Sequence, residues 1–345
     1  MATWHMQPPT NKINNLRPRR PKFSLGLLVV WAVVLAALGF AAADKQNIED
    51  WWRLRTYHAP AAVVQLADQD TMTPYARKVF YVNQPAIDDK TSFAKVCESG
   101  SSKEQTIVLG CYHGSQNGIY VLSVDDPRLS GVEQVTAAHE VLHAAYDRLN
   151  ESDKAQINRQ LLDYYHNDLH DQRILSTIDA YKKSEPNDVV NEMHSIFGTE
   201  IASLPPGLEQ YYQRYFTNRQ QVAAFAAQYQ SAFTSRQAAL SQLESQLDAL
   251  KQQIESIDAD LKSQKADIES RQAQLESERT SGNIAAYNAG VAAYNSSLDA
   301  YNAEVNNLRG LVNQFNGLVN QHNALVLEQS QLRDELDANA VPSKQ

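Results

Sequence analysis

The sequence predicts an α+β protein in three parts. A domain of a small sheet plus helices is preceded by a transmembrane helix and followed by an antiparallel coiled-coil hairpin. Three observations predict this. Residues 23–43, FSLGLLVVWAVVLAALGFAAA, carry no charge. Residues 106–124 hold two β-like runs, after which the pattern turns helical. From about residue 220, apolar residues recur at alternating three- and four-residue steps.

The uncharged run suits a membrane-spanning helix, which needs roughly 20 apolar residues. Residues 1–22 contain Lys12, Arg17, Arg19, Arg20 and Lys22 and no acidic residue. The positive-inside rule places that basic segment in the cytoplasm and exports everything after Ala43. The expectation is a single-pass protein of the cell membrane with its bulk extracytoplasmic. A cleaved signal peptide is the alternative, with Ala41-Ala42-Ala43 as its A-x-A site. The run exceeds the usual h-region of roughly 7–15 residues, which favours an uncleaved anchor.

Of 345 residues, 43% are apolar and 21% charged, enough for a sizeable core and more than one domain. The net charge of −9 argues against a nucleic-acid partner, which calls for a basic face. Two cysteines exclude a disulfide scaffold and a cysteine-built zinc finger. Outside the cytoplasm Cys97 and Cys111 are expected to pair, closing a loop worth roughly 3 kcal/mol. Two free thiols are the alternative.

The central domain, 44–219, opens with a short helix or stalk near 46–66 and a helix near 73–78. KVFYVNQP, residues 78–85, is rich in β-formers and ends in Pro85. TIVLGCYHG (106–114) and GIYVLSV (118–124) flank SQN and read as a hairpin. Helices follow near 132–148, 152–166, 168–183 and 188–198, with Ser152 and Asn187 as N-cap candidates. LPPG, 204–207, breaks the pattern, and a further helix starts near Leu208.

The first of these helices carries HEVLH. His139 and His143 stand at i and i+4 and share a face, so both imidazoles can address one metal ion. Glu140 lies about 100° round the helix and reaches a water at that ion more readily than the ion itself. This is the arrangement of a zinc hydrolase, with the glutamate moving the proton of the attacking water to the leaving nitrogen. Val141 and Leu142 make the helix apolar, and Ala137, Ala138, Ala144 and Ala145 let it pack closely.

HEVLH, preceded by the β-like run GIYVLSV, resembles the zincin metallopeptidase superfamily over roughly residues 75–220. The resemblance implies Zn2+ as cofactor, a peptide or protein substrate, and an edge strand that holds an extended substrate by strand addition. A catalytic zinc needs a third protein ligand. Tyr146 and Leu149 break the metzincin continuation HExxHxxGxxH. The gluzincin-like alternative implies a glutamate on a later helix, and NEMHSIFGTE (191–200) offers Glu192, with His194 and Glu200 as alternatives. Some gluzincins place an aspartate four residues after that glutamate; here the position is Ile196, leaving Ser195, Thr199 or Glu200 to orient a ligand histidine.

Other candidates have plainer readings. His166 and His170 lack a following glutamate and sit among Asn167, Asp168 and Asp171, a solvated face. His113 lies near Cys111, and His322 lies in the distal coiled coil. Tyr146 and Tyr211 are expected to pack.

In the C-terminal part, 220–338, one seam runs through Phe233, Leu240, Leu243, Leu247, Leu250, Ile254, Ile257, Leu261, Ile268 and Leu275. TSGN, 280–283, interrupts it. A second seam runs through Ile284, Tyr287, Val291, Tyr294, Leu298, Tyr301, Val305, Leu308, Val312, Phe315, Val319, His322 and Val326. Two arms of about 50 residues, each about 75 Å, are expected to fold back as a hairpin. An intermolecular coiled coil is the alternative. Gly290, Gly310 and Gly317 weaken the second arm by about 1 kcal/mol each. Residues 339–345 read as a disordered tail.

The functional expectation is a membrane-anchored extracytoplasmic zinc metallopeptidase whose coiled coil, 220–338, offers a surface to a protein partner. One alternative is an envelope scaffold or regulator with an inactive zincin domain, against which the presence of Glu140 argues. Another is a zinc sensor with a closed four-ligand site, in which His194 joins Glu192.

Overall fold

The computed structural model describes residues 2, 30–35, 39, 45–97, 109–114 and 118–338. The expected basic segment 1–22 (apart from residue 2), the span 23–43 (apart from 30–35 and 39, which are helical) and the tail 339–345 lie outside the described residues. No described helix is long and apolar enough to cross a membrane. The chain divides into two units, residues 1–56 and 57–345.

The first unit contains helix α1, Lys45–Thr56. Its Trp51 and Trp52 stack edge to face, and Arg55 lies over the Trp51 ring.

The second unit is mostly helical with one small sheet. In order it holds α2 (Ala61–Gln69), α3 (Pro74–Val82), β1 (Ala86–Asp88), α4 (Lys90–Cys97), β2 (Gly110–His113) and β3 (Gly118–Leu122). After a 3₁₀ turn at Pro127–Leu129 come α5 (Val132–Asp147), α6 (Glu151–Asn167), α7 (Gln172–Ser184), α8 (Val189–Glu200) and α9 (Pro206–Tyr212). Two long helices close the chain, α10 (Arg219–Thr280) and α11 (Ile284–Leu336).

The sheet has the order β1-β3-β2, with β1 parallel and β2 antiparallel to β3. The hairpin register pairs Gly110 with Val121 and Cys111 with Tyr120. The intervening SQN lies outside the described residues. A disulfide joins Cys97, at the end of α4, to Cys111 in β2.

KVFYVNQP is not a strand. Thr73 caps α3 by accepting a hydrogen bond from the Ala76 amide, and Pro74 takes the first helical position, where its missing N–H costs nothing. Ala76, Val79 and Phe80 then fall on one buried helical face. Cap and burial outweigh the β preference of Val, Phe and Tyr. The caps after α5 also shift: Asn150 caps α6 through the Asp153 amide, and α8 starts after Asp188. Asp171 caps α7, which therefore begins at Gln172 and not near 168.

Helix α5 is the centre of the core. Val135, Ala137, Ala138, Val141, Leu142, Ala144 and Ala145 are buried, packed among α2, α3, α8, the sheet and the root of α10. Gly131 starts α5 at φ +100°, where a Cβ would lie 2.6 Å from the Phe225 carbonyl oxygen. Glycine meets both demands, a left-handed backbone and the close passage of α10.

Helix α10 starts at Arg219, and its first turns are part of the main core. Val222 and Ala226 belong to the main core. Leu332 and Leu336, at the end of α11, close a second cluster with Leu129, Val132 and Ala232. Arg219 is buried against Glu209 and the carbonyls of Ile201 and Ala202. Beyond this root, α10 and α11 pack as an antiparallel hairpin of 62 and 53 residues, turning at Gly282 (φ +75°). Gln264 and Glu304 bond across the seam, a polar pair of the kind that fixes register. The seam of α11 departs from the expected one. After Leu308 it steps by three to Leu311 and later uses Leu325, which leaves Val312 and Val326 at 38% and 45% exposure. Two successive three-residue steps shift the phase of a heptad seam in this way. Ile284, at the tip, is exposed as well.

Asp70, just after α2, is fully buried, and neither carboxylate oxygen has a hydrogen-bond partner among the described residues. Burial pushes its carboxyl well above the ordinary range. A raised carboxyl holds its proton longer in the folded chain than in the unfolded one. Its contribution is therefore present below the unfolded value, about pH 3.9, and lost as pH rises through the folded value. Asp70→Asn should raise the melting temperature at pH 8, by about 2–4 °C per kcal/mol recovered, and change it little at pH 4. Thermal unfolding at the two pH values checks this.

Candidate metal centre

Helices α5 and α8 build the site. They approach closely because Gly198 stands on α8 where they meet; a Cβ there would lie 2.4 Å from Leu142 Cδ1 and 2.7 Å from Tyr212 Cε1. Tyr212 also donates to the His194 carbonyl at 2.6 Å, a second hold on α8.

On α5, His139 and His143 bring their Nε2 atoms to 3.0 Å. Glu192, in the first turn of α8, faces both. Its Oε2 is 3.6 Å from His139 Nε2 and its Oε1 is 3.4 Å from His143 Nε2. Two ligands each about 2.1 Å from a tetrahedral zinc stand about 3.4 Å apart. The separations lie near that value, the two to Glu192 running to different carboxylate oxygens, and the three groups could hold a metal ion. Glu192 is 6% exposed and its Oε2 has no hydrogen-bond partner among the described residues, so an oxygen able to bind a cation is held in the interior. Burial of this kind is costly unless the charge is compensated.

The electrostatics follow from this crowding. Burial alone would lower the His139 imidazole, but the Glu192 carboxylate facing it at 3.6 Å, with the charge of Glu140, raises it to about 9. Burial would raise the Glu192 carboxyl. The facing histidines, with a hydrogen bond from the Tyr181 side chain, bring it below its ordinary value. Glu140 is 6% exposed; burial raises its carboxyl, against the charges of His143 and His139.

His194 is not in this group. It is fully buried, its Nε2 bonds the Tyr211 hydroxyl at 2.9 Å, and Tyr146, Tyr211, Tyr212 and Tyr215 surround its ring. Burial, then the charges of His143 and His139, drop its imidazole to about 3. Glu200 pairs with Arg173 at 2.6 Å and accepts from Gln230. Neither Ser195 nor Thr199 orients a ligand histidine: Thr199 bonds the Ser195 carbonyl, and the Ser195 hydroxyl has no partner. The Tyr146 hydroxyl donates to Asn158, and Tyr211 also bonds Tyr215. His166 and His170 are exposed, His113 lies against Cys111, and His322 pairs with Glu244.

Residues at the site that the sequence did not single out include Tyr181, Gly198, and Asp188, whose carboxylate lies close to Glu185 and Glu192. A glycine inside a helical pattern is the one signal that was available, since it often marks close packing.

Comparison with protein families, with curated proteins and with solved structures finds no match to this chain.

Proposed function

We propose that the chain is a membrane-anchored, extracytoplasmic zinc metallopeptidase of zincin-like, gluzincin-like architecture. The observation that carries this reading is the meeting of His139, His143 and Glu192 at zinc-ligand separations beside a buried Glu140 that is not one of the three. Zinc, when bound, supplies a Lewis acid for the scissile carbonyl and lowers the pKa of its water toward about 7.

The remaining work falls to this chain's own groups. Glu140, its carboxyl raised by burial, accepts a proton from the attacking water and passes it to the leaving nitrogen. Glu192 and Tyr181 hold the ligand face of α8 in place. Strand β2 lies at the sheet edge beside α5. The Leu122 amide donates to the Leu109 carbonyl, so antiparallel alternation turns the N–H and C=O of Gly110 away from β3. An extended peptide adding to that edge would run past Glu140, which supports a peptide or protein substrate, a cell-wall peptide cross-link among them. The uncharged run 23–43 and the basic residues before it support the membrane anchor and its orientation.

The arm favours a second reading, an envelope scaffold or regulator, because α10 is rooted against both α5 and α8. A partner held by the coiled coil would then be the main task.

The full chain in detergent, loaded with zinc, should cleave labelled unfolded casein. A chelator should stop cleavage and added zinc restore it. Cleavage that survives metal removal would contradict the reading.

A further inference from the structure

The edge strand beside the metal centre also touches the general base. A Cβ built on Gly110 would lie 2.7 Å from Glu140 Oε1, 2.9 Å from Glu140 Cγ and 2.5 Å from Thr136 Cγ2. The backbone of β2 therefore passes against the Glu140 side chain with no room for a methyl group. The strand cannot easily retreat. Leu109 packs with the cluster of Leu129, Leu332 and Leu336, Cys111 is tied to Cys97, and the ladder to β3 runs from Gly110 to His113. Gly110 has no left-handed backbone requirement, so its lack of a side chain is a matter of space.

We propose that Gly110 is a positioning residue for Glu140: the bare strand backbone forms the seat of the carboxylate and sets where the base stands relative to His139 and His143. The three atoms nearest that Cβ belong to Thr136 and Glu140 and none to His139, His143 or Glu192, so the seat bears first on the base. What the seated carboxylate does rests on the peptidase reading. The seat itself rests on the contacts alone.

The test is Gly110→Ala in the full chain. Because the strand is pinned, the added methyl displaces the Glu140 carboxylate. A displacement of about 1 Å costs turnover on the order of a hundredfold. The expected result is zinc affinity within about threefold of wild type, kcat on casein down about a hundredfold, and KM little changed. Glu140→Asp, one methylene shorter, should recover part of the loss when combined with Gly110→Ala. Unchanged kcat overturns the proposal. So does loss of zinc together with turnover, because the glycine would then be holding the whole site.

Thr136→Ser removes the 2.5 Å contact. If Gly110→Ala alone fails to fold, the same comparison is made in that background. A second readout needs no substrate. In a thermal double-mutant cycle, Gly110→Ala should lower Tm less in a Glu140→Ala chain than in wild type. Equal losses overturn the seat even if the wild type cleaves casein. If the wild type cleaves nothing while the two mutations interact, the seat stands and the peptidase reading falls.

Discussion

Glu140→Gln should keep one zinc per chain and lower peptide hydrolysis by about 10²–10⁴-fold. Glutamine has the shape of the carboxylate and fits the same buried slot between α5 and β2, where Glu140 is 6% exposed. It cannot accept the proton of the attacking water. The three groups at zinc-ligand separations are His139, His143 and Glu192, so the substitution leaves the donor set whole. Neutralising a carboxyl that burial already raises should not destabilise the fold. Metal content and turnover on the same preparation check this. Zinc lost with the carboxylate would make Glu140 a ligand or a structural group. Turnover retained would remove it as the base.

The second large effect concerns the arm. Deleting residues 225–338 should abolish cooperative unfolding of what remains. Ala226 is fully buried in the main core, and the Phe225 backbone lies against Gly131 at the start of α5. Leu332 and Leu336 cover Leu129 and Val132 at the entry to α5, two turns before HEVLH, and Lys90 pairs with Glu335. Each large apolar side chain stripped of its cover costs roughly 1.5–3 kcal/mol, and a domain has only about 5–15 kcal/mol in total. Replacing residues 245–321 by a short Gly-Ser turn should be tolerated, because Glu244 and His322 already meet at 3.5 Å. Denaturant unfolding of the two truncations separates the cases. A cooperative transition in the 225–338 deletion would show the arm to be independent.

The sequence carried more of the site's chemistry than of its framing. His139 and His143 share a face by helical arithmetic alone, and Glu192 faces them from the one later segment rich in candidate ligands. The seam of α10 and the turn near 280–283 were equally legible, because heptad spacing and a Gly-Asn break are local signals. The rest depends on contacts between distant segments. Thr73-Pro74 opens α3 in a β-rich run, but the burial of Val79 and Phe80 that completes the balance does not show in the sequence. The shift to Leu311 and Leu325 follows from packing against α10, since Leu-Val doublets offer either phase. The approach of Gly110 to Glu140, and of Gly198 to Leu142, needs the fold itself. His194 was a reasonable ligand by position, yet it lies a further 200° round α8 from Glu192 and turns into a cage of tyrosines.

The most direct test of the central claim is the zinc content of the purified full chain beside His143→Ala and Glu192→Ala, with folding of each variant checked by circular dichroism. A three-ligand centre gives one zinc per wild-type chain, and affinity weakened at least tenfold in both folded variants. A wild-type chain that takes up no zinc when it is offered, or a Glu192→Ala chain that binds it as tightly as wild type, would contradict the three-ligand centre.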